Sequence, residues 1–222
     1  VDVTAVTLQA RAVLLDMDGT LVDSTAVVER VWTEWALAHS LDPVEVIAVI
    51  HGRQAHESMA SLLPDRPPEE NFVESRAMAE LETAAVEGIT PIAGAQSVLE
   101  ALSGAPHALV TSATIELAGA RMAAAGLAVP EVAVTAEHVR ASKPDPDGFL
   151  VAAAALGVPP QDCVVFEDSG AGIDAAHAAG MRVVGVGTAA ATHGAEWTVA
   201  DLADVRVTVS EATVLITLLR PI

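Results

Sequence analysis

Four short segments carry side chains able to do chemistry. Asp16-Met17-Asp18-Gly19-Thr20 sets two carboxylates two residues apart, followed by a glycine that permits a tight turn. Thr111-Ser112 offers hydroxyl donors just ahead of a helical stretch. Ser142-Lys143-Pro144-Asp145-Pro146 holds one lysine in backbone stiffened by two prolines, with Asp145-Pro146 patterned as an N-cap and first-turn proline. Glu167-Asp168-Ser169 adds two more carboxylates before a glycine-rich helix start. Together these groups answer one physical problem. Like charges keep a carboxylate away from a phosphate dianion, so a cation must bridge them before an aspartyl oxygen reaches phosphorus. Asp16, Glu167 and Asp168 offer hard oxygen ligands suited to Mg²⁺. Lys143 supplies a further point charge, and Ser112 with nearby backbone N–H groups, such as that of Ala113, supplies donors to phosphate oxygens. The chemistry expected is metal-assisted phosphoryl transfer with Mg²⁺ as cofactor.

Each piece alone also fits a plainer role. An Asp-x-Asp pair forms turns and helix caps, a lone lysine sits in solvent, and Glu167 fits both direct ligation and a place behind the ligands. Ser169 and Asp23-Ser24 read as helix caps rather than substrate contacts, His177 as structural, and Trp32 and Trp35 as core. Cys163, the only cysteine, reads as a buried inert thiol and excludes an intramolecular disulfide.

The elements that must position these groups follow from apolar patterning. Strand signals are short and Val-rich: Ala12 to Met17, His107 to Thr111, Val132 to Thr135, Cys163 to Glu167, Arg182 to Gly187 and Val205 to Val209. Their continuous apolarity suits strands covered on both faces, as in a parallel sheet. Between them lie Ala/Leu-rich helical stretches at 95–102, 115–125, 148–156 and 171–179, several of which stop at a glycine. The βαβα alternation predicts a doubly wound α/β sheet, whose ligands bind beyond the carboxyl ends of the strands. All four chemical segments fall at such ends. From about Asp23 to Thr90 the rhythm breaks: Val27, Val28, Val31, Trp32 and Trp35 step along one helical face, and further helical stretches follow at 44–50 and 56–63. Pro64, Pro67 and Pro68 mark a loop inside this all-helical insert.

Composition bounds the partners. The chain has 222 residues, 52% of them hydrophobic, and 11 Lys+Arg against 30 Asp+Glu give a formal charge of −19. That length carries a buried core, and that apolar fraction excludes intrinsic disorder. No stretch is long and apolar enough for a membrane span. The acidic surface makes nucleic acid a poor partner. No basic, apolar, cleavable leader pattern is present, so a reducing cytoplasm is the expected location. No long hydrophobic seam demands an oligomer, so a monomer or weak dimer is expected.

The four ordered segments, quoted as Asp16-Met17-Asp18-Gly19-Thr20, Val110-Thr111-Ser112, Lys143-Pro144 and Phe166-Glu167-Asp168-Ser169, resemble the motifs of the haloacid dehalogenase superfamily of Mg²⁺-dependent phosphohydrolases. The resemblance spans about Val13 to Gly187. It implies a Rossmann-like catalytic core at 1–22 and 91–222, with a helical cap at 23–90 that sets specificity. Gly19 to Val31, His51-Gly52-Arg53 and Val86 to Gly94 are most similar to the sugar and polyol phosphatases, which implies a small phosphorylated sugar or polyol as substrate. The implied mechanism makes Asp16 the nucleophile that forms an aspartyl-phosphate. Asp18 protonates the leaving alcohol and then activates water. Mg²⁺ would be held by Asp16, the main-chain carbonyl of Asp18, and Asp168, with Glu167 a direct or water-mediated ligand. Thr111, Ser112, Ala113 and Lys143 would bind phosphate, Ser112 being the better match for the hydroxyl. Arg53 and His51 would meet the substrate from the cap, closing about a hinge near 21–24 and 88–94. Two alternatives stay open: a phosphomutase of the β-phosphoglucomutase kind, and a non-catalytic binding or regulatory protein of the same fold. The mutases carry a histidine in the linker to the cap where this chain has Val27 and Val28, which favours hydrolysis. Dehalogenation is disfavoured because those relatives lack the second aspartate.

Overall fold

The computed structural model describes residues 5–210 and 213–222; the remaining residues of the expected core range, 1–4 and 211–212, lie outside the described residues. Six parallel strands form the central sheet: β2 (Ala12–Leu15), β5 (His107–Val110), β6 (Val132–Val134), β7 (Cys163–Glu167), β8 (Arg182–Val186) and β9 (Trp197–Val199). Their order is β6-β5-β2-β7-β8-β9, so the chain moves outward from β2 on one side and then returns to build the other. The strand order therefore reverses beside β2, which is where an α/β sheet opens a crevice. Alternate residues of β2 feed two cores. Val13 and Leu15 pack with α5 (Ala95–Ala101) and α6 (Ile115–Ala124), whereas Ala12 and Leu14 pack with α7 (Asp147–Leu156) and α8 (Gly170–Ala178). Both faces of the sheet are thus covered, which accounts for the unbroken apolar runs.

A three-stranded antiparallel sheet, β1 (Val6–Ala10), β11 (Thr213–Leu218) and β10 (Val205–Ser210), adds Leu8, Ile216 and Leu218 to the first core. Here the structure departs from the expectation that Val205 to Val209 runs with the parallel strands. Its exposure is one-sided, with Val205 buried and Arg206 in solvent, as suits an antiparallel strand with one wet face. The parallel position belongs instead to β9, three residues too short to announce itself in the sequence.

Between β3 (Val22–Asp23) and β4 (Thr90–Pro91), which pair as Val22 with Pro91 and Asp23 with Thr90, lie four helices. They are α1 (Thr25–Ala38), α2 (Pro43–Ile50), α3 (Ala55–Leu62) and α4 (Pro68–Ala84). Val31, Trp32, Trp35, Ala36, Val46, Ile50, Met59 and Met78 give them a core of their own. The prolines expected to mark a loop do so only up to Pro67. Pro68 opens α4, since a proline at the first helical position gives up only an N–H that would go unpaired anyway. That 17-residue helix was illegible because its apolar face is weak: its buried residues are Asn71, Met78 and Glu82. Among the described residues no helix is long and apolar enough to cross a membrane.

Candidate active site

The carboxyl ends of β2, β5 and β7 converge on one cluster. Asp16 follows β2 directly and is held in register by its N–H donating to the Phe166 carbonyl at 3.0 Å. The chain then folds back on the Met17 carbonyl, which accepts from the N–H groups of Thr20, Leu21 and Val22. Gly19 makes that turn with φ +83°, and a Cβ there would lie 2.0 Å from Asp168 Oδ2, so no other residue fits without displacing Asp168.

Lys143, which precedes Pro144 through a cis bond, enters from the far side of β5 and is 6% exposed. Its Nζ donates to Asp16 Oδ1 at 2.5 Å, Glu167 Oε2 at 2.8 Å and the Val110 carbonyl at 3.2 Å, with the Phe149 ring 5.3 Å beneath. Burial opposes the charge on Lys143, yet Asp16 and Glu167 outweigh it and hold the ammonium above its usual range. The fully buried Glu167 is anchored at both oxygens. Its Oε1 accepts from the Asp168 N–H, the Ser169 N–H and Ser169 Oγ at 3.1, 3.1 and 2.9 Å. Ser169 caps α8 as expected, accepting from the Gly172 N–H at 3.1 Å.

Asp16, Glu167 and Asp168 bring one carboxylate oxygen each within 4.8 Å of one another, the one such His/Cys/Asp/Glu group among the described residues. Three acids face one ammonium, and the imbalance shows in Asp16 and Asp168. Burial, then the charge on Glu167, push Asp16 up to about 8 against the pull of Lys143. Burial, then the charges on Glu167 and Asp16, raise Asp168 well above its ordinary value against the pull of Lys143. Oxygen donors with uncompensated negative charge fit a hard divalent cation.

Asp18 points elsewhere. Its Oδ1 accepts from Ser24 Oγ at 2.6 Å and its Oδ2 from Arg121 Nη1 at 2.8 Å. Ser24 was expected to cap α1; instead its hydroxyl orients Asp18, while Asp23 Oδ1 takes the Thr25 N–H. Thr111 and Ser112 divide their work in a way the sequence did not resolve. Ser112 Oγ donates to the Gly52 carbonyl at 2.9 Å, across to the helical insert. Thr111 Oγ1 accepts the Ala113 N–H at 3.1 Å, which keeps its own O–H free to donate.

The insert lies over this cluster. Gly52, with φ +78°, approaches so closely that a Cβ would be 2.2 Å from Ser169 Oγ. Glu57 of α3 accepts from the Ser142 hydroxyl beside Lys143, and Gln54 donates to Ser142 Oγ at 3.4 Å. The two parts enclose a cavity of about 240 Å³ whose walls include Asp16, Asp18, Thr111, Ser112, Ala113 and Asp168 from the sheet side. His51, Arg53, Arg76 and Glu82 wall it from the insert. Thus Asp16, Asp18, His51, Arg53, Thr111, Ser112, Ala113 and Asp168 line one cavity, whereas Lys143 and Glu167 lie buried behind Asp16 and do not line it. Arg121 and Glu82 are additions. A lone arginine in an Ala-rich helix and one of several glutamates in a polar helix carry no signal until the fold pairs them across 39 residues.

A family model for haloacid dehalogenase-like hydrolases matches residues 10–180. Hexitol phosphatase A of Escherichia coli is 43% identical over 187 residues, covering 83% of this chain and 87% of the relative. Glycerol-1-phosphate phosphohydrolase 2 of Saccharomyces cerevisiae is 32% identical over 192 residues, covering 82% of this chain and 76% of the relative. A solved hydrolase structure from Pseudomonas syringae superposes with a TM-score of 0.77 at 26% identity, covering 87% of this chain and 94% of that one. With a family match over most of its length, a relative of that identity and acids gathered at the strand ends, the chain belongs to the haloacid dehalogenase-like hydrolases.

Proposed function

We propose that the protein is a Mg²⁺-dependent phosphatase that hydrolyses small phosphorylated sugars or polyols through an aspartyl-phosphate. It is a phosphoric monoester hydrolase of its family, and the observation that carries the finer reading is that Asp16, Asp18 and Asp168 line one cavity while the buried Lys143 and Glu167 back Asp16 from behind its wall. The relatives named for hexitol and glycerol phosphates point to the substrate class. So does the cavity, whose volume of about 240 Å³ lies below the roughly 300–1,000 Å³ of pockets for drug-sized ligands.

Asp16, Asp168 and the Asp18 main-chain carbonyl would hold the cation. Bound there, it supplies the positive charge that lets a carboxylate approach a phosphate dianion. Glu167, taken up by Lys143 and the start of α8, positions these groups rather than ligating directly. Asp16 attacks phosphorus, forming the acyl-phosphate bond as the bond to the substrate alcohol breaks. Asp18 gives its proton to the departing oxygen, then takes one from the water that cleaves the intermediate. Thr111 rather than Ser112 donates its hydroxyl to the phosphate alongside Lys143, with Ala113 next to it on the cavity wall. Arg53 and His51 contact the sugar end from the insert, which acts as the cap.

The test is phosphate release from a panel of hexitol phosphates, glycerol phosphate, sugar phosphates, phosphoglycolate and nucleotides. Release from polyol or sugar phosphates that disappears with chelator and in Asp16→Asn supports the reading. No release from any member, or isomerised sugar phosphate in place of free phosphate, refutes it.

A further inference from the structure

Arg121 sits on α6 of the sheet side, 4% exposed, and makes two side-chain ion pairs, one to the sheet side and one to the insert. Nη1 donates to Asp18 Oδ2 at 2.8 Å, while Nη2 donates to Glu82 Oε2 at 2.9 Å. Glu82 is itself buried and belongs to α4 of the insert. The Arg121 Nε has no partner among the described residues, so the guanidinium is held by the carboxylate it orients and by the one the insert delivers. As a strut alone this arrangement is poor physics. A buried ion pair is matched or bettered in stability by apolar side chains of similar volume, and here it also leaves one donor unpaired. What the guanidinium does gain is a fixed hold on the Asp18 carboxyl plane, shared with Ser24 Oγ on the other oxygen.

We propose that Arg121 is a positioning residue that ties the seating of the helical insert, through Glu82, to the orientation of Asp18 for proton donation to the leaving group. The inference rests on the role given to Asp18 above. A seated insert brings Glu82 to Arg121; Arg121 then holds Asp18 where the scissile oxygen lies, and a carboxyl out of place transfers its proton poorly. Proton donation would thus be readied when the cavity is covered and not before.

The test exploits leaving groups. In the first step the Asp16 oxygen bonds to phosphorus, the ester oxygen departs and the Asp18 proton goes to it. A nitrophenolate departs without that proton, whereas an alkoxide does not. Parameters kcat/KM for p-nitrophenyl phosphate and for a hexitol phosphate, both with Mg²⁺, report this step without the later hydrolysis. They are to be measured on the full chain and on Arg121→Met and Glu82→Gln, with the paired variant Arg121→Met/Glu82→Leu, which strands no buried charge. Arg121→Met and the paired variant are expected to lose roughly 10–100-fold on the hexitol phosphate and under about threefold on the aryl ester. Glu82→Gln should shift the same ratio in the same direction by less, at unchanged KM. Equal losses on both esters, or a lowered Tm with an unchanged ratio, would mark a mere strut and overturn the inference. A natural protein inactive on both esters would instead bring down the phosphatase reading itself, and the inference with it.

Discussion

Lys143→Met removes the one ammonium among three acids at nearly constant volume. Asp16 and Glu167 lose donors at 2.5 and 2.8 Å, and the Val110 carbonyl loses one at 3.2 Å. Both acids are buried, so water does not replace what is lost. Breaking a buried pair in this way costs roughly 3–5 kcal/mol. The acids limit the damage by taking up a proton, because burial and Glu167 already push Asp16 up and the ammonium that pulls it down is gone. For a chain of this size the loss corresponds to a fall in Tm of roughly 6–20 °C. The assay is thermal unfolding followed by circular dichroism, in chelator and again in excess Mg²⁺. Added cation at 100 times its Kd contributes about 2.7 kcal/mol, and it should rescue the variant at least as far as it stabilises the natural protein. A variant as stable as the natural protein in chelator would refute the claim that Lys143 balances the cluster. Retained hydrolysis would refute its place in the chemistry.

Thr111→Val should lower kcat/KM roughly 10–100-fold, the value of a hydrogen bond to a charged group at about 1.5–3 kcal/mol, whereas Ser112→Ala should cost only about 1 kcal/mol of the contact with Gly52; steady-state kinetics on both variants decide which hydroxyl meets phosphate. Gly19→Ala forces a positive φ that costs about 1–2 kcal/mol and drives a methyl into Asp168. It should abolish Mg²⁺-dependent turnover in a protein that remains folded, read by activity against a Mg²⁺ titration. Within the insert, the Arg66 guanidinium donates to Glu74 at 2.6 and 2.8 Å and, ahead of the Trp35 indole, holds it down to about 2. A folded-state value below the unfolded 4.5 means this stabilisation is whole above that pH and is lost as pH falls toward 2. Solvent screens this pair, so the loss is small, and Arg66→Met should flatten the acid limb of a urea-unfolding series between those values.

The site was legible because its chemistry is written in short local runs. Asp16 and Asp18, and Glu167, Asp168 and Ser169, occupy consecutive or near-consecutive positions at the end of an apolar strand, while Lys143 and Pro144 sit together in the loop between β6 and α7. Patterning on both faces then predicts where those ends meet. What depends on distant partners was not legible. β1 pairs with β11, Val6 opposite Leu218, across almost the whole chain, and nothing in VTLQA names that partner. The hydroxyl of Ser24 has the sequence context of a cap and is diverted to Asp18 by a turn that only the folded loop reveals. Arg121 meets Asp18 across 103 residues and Glu82 across 39. Ser112 and Thr111 are adjacent hydroxyls, and only the fold shows that Ser112 meets the Gly52 carbonyl of the insert while Thr111 accepts the Ala113 N–H locally.

The two-residue ladder that joins Val22 to Pro91 and Asp23 to Thr90 makes the upper story of this enzyme portable. Chain leaves and rejoins the floor at neighbouring strands, so the entropic charge for closing the intervening 66 residues is already met by two paired rungs and the Ile92 N–H donating to the Leu21 carbonyl beside them. Any bundle that brings its ends back to their starting point satisfies the same splice. On the proposed role of the insert as the cap, exchanging residues 24–89 for another such bundle should change which molecules are accepted while the acids beneath keep their arrangement.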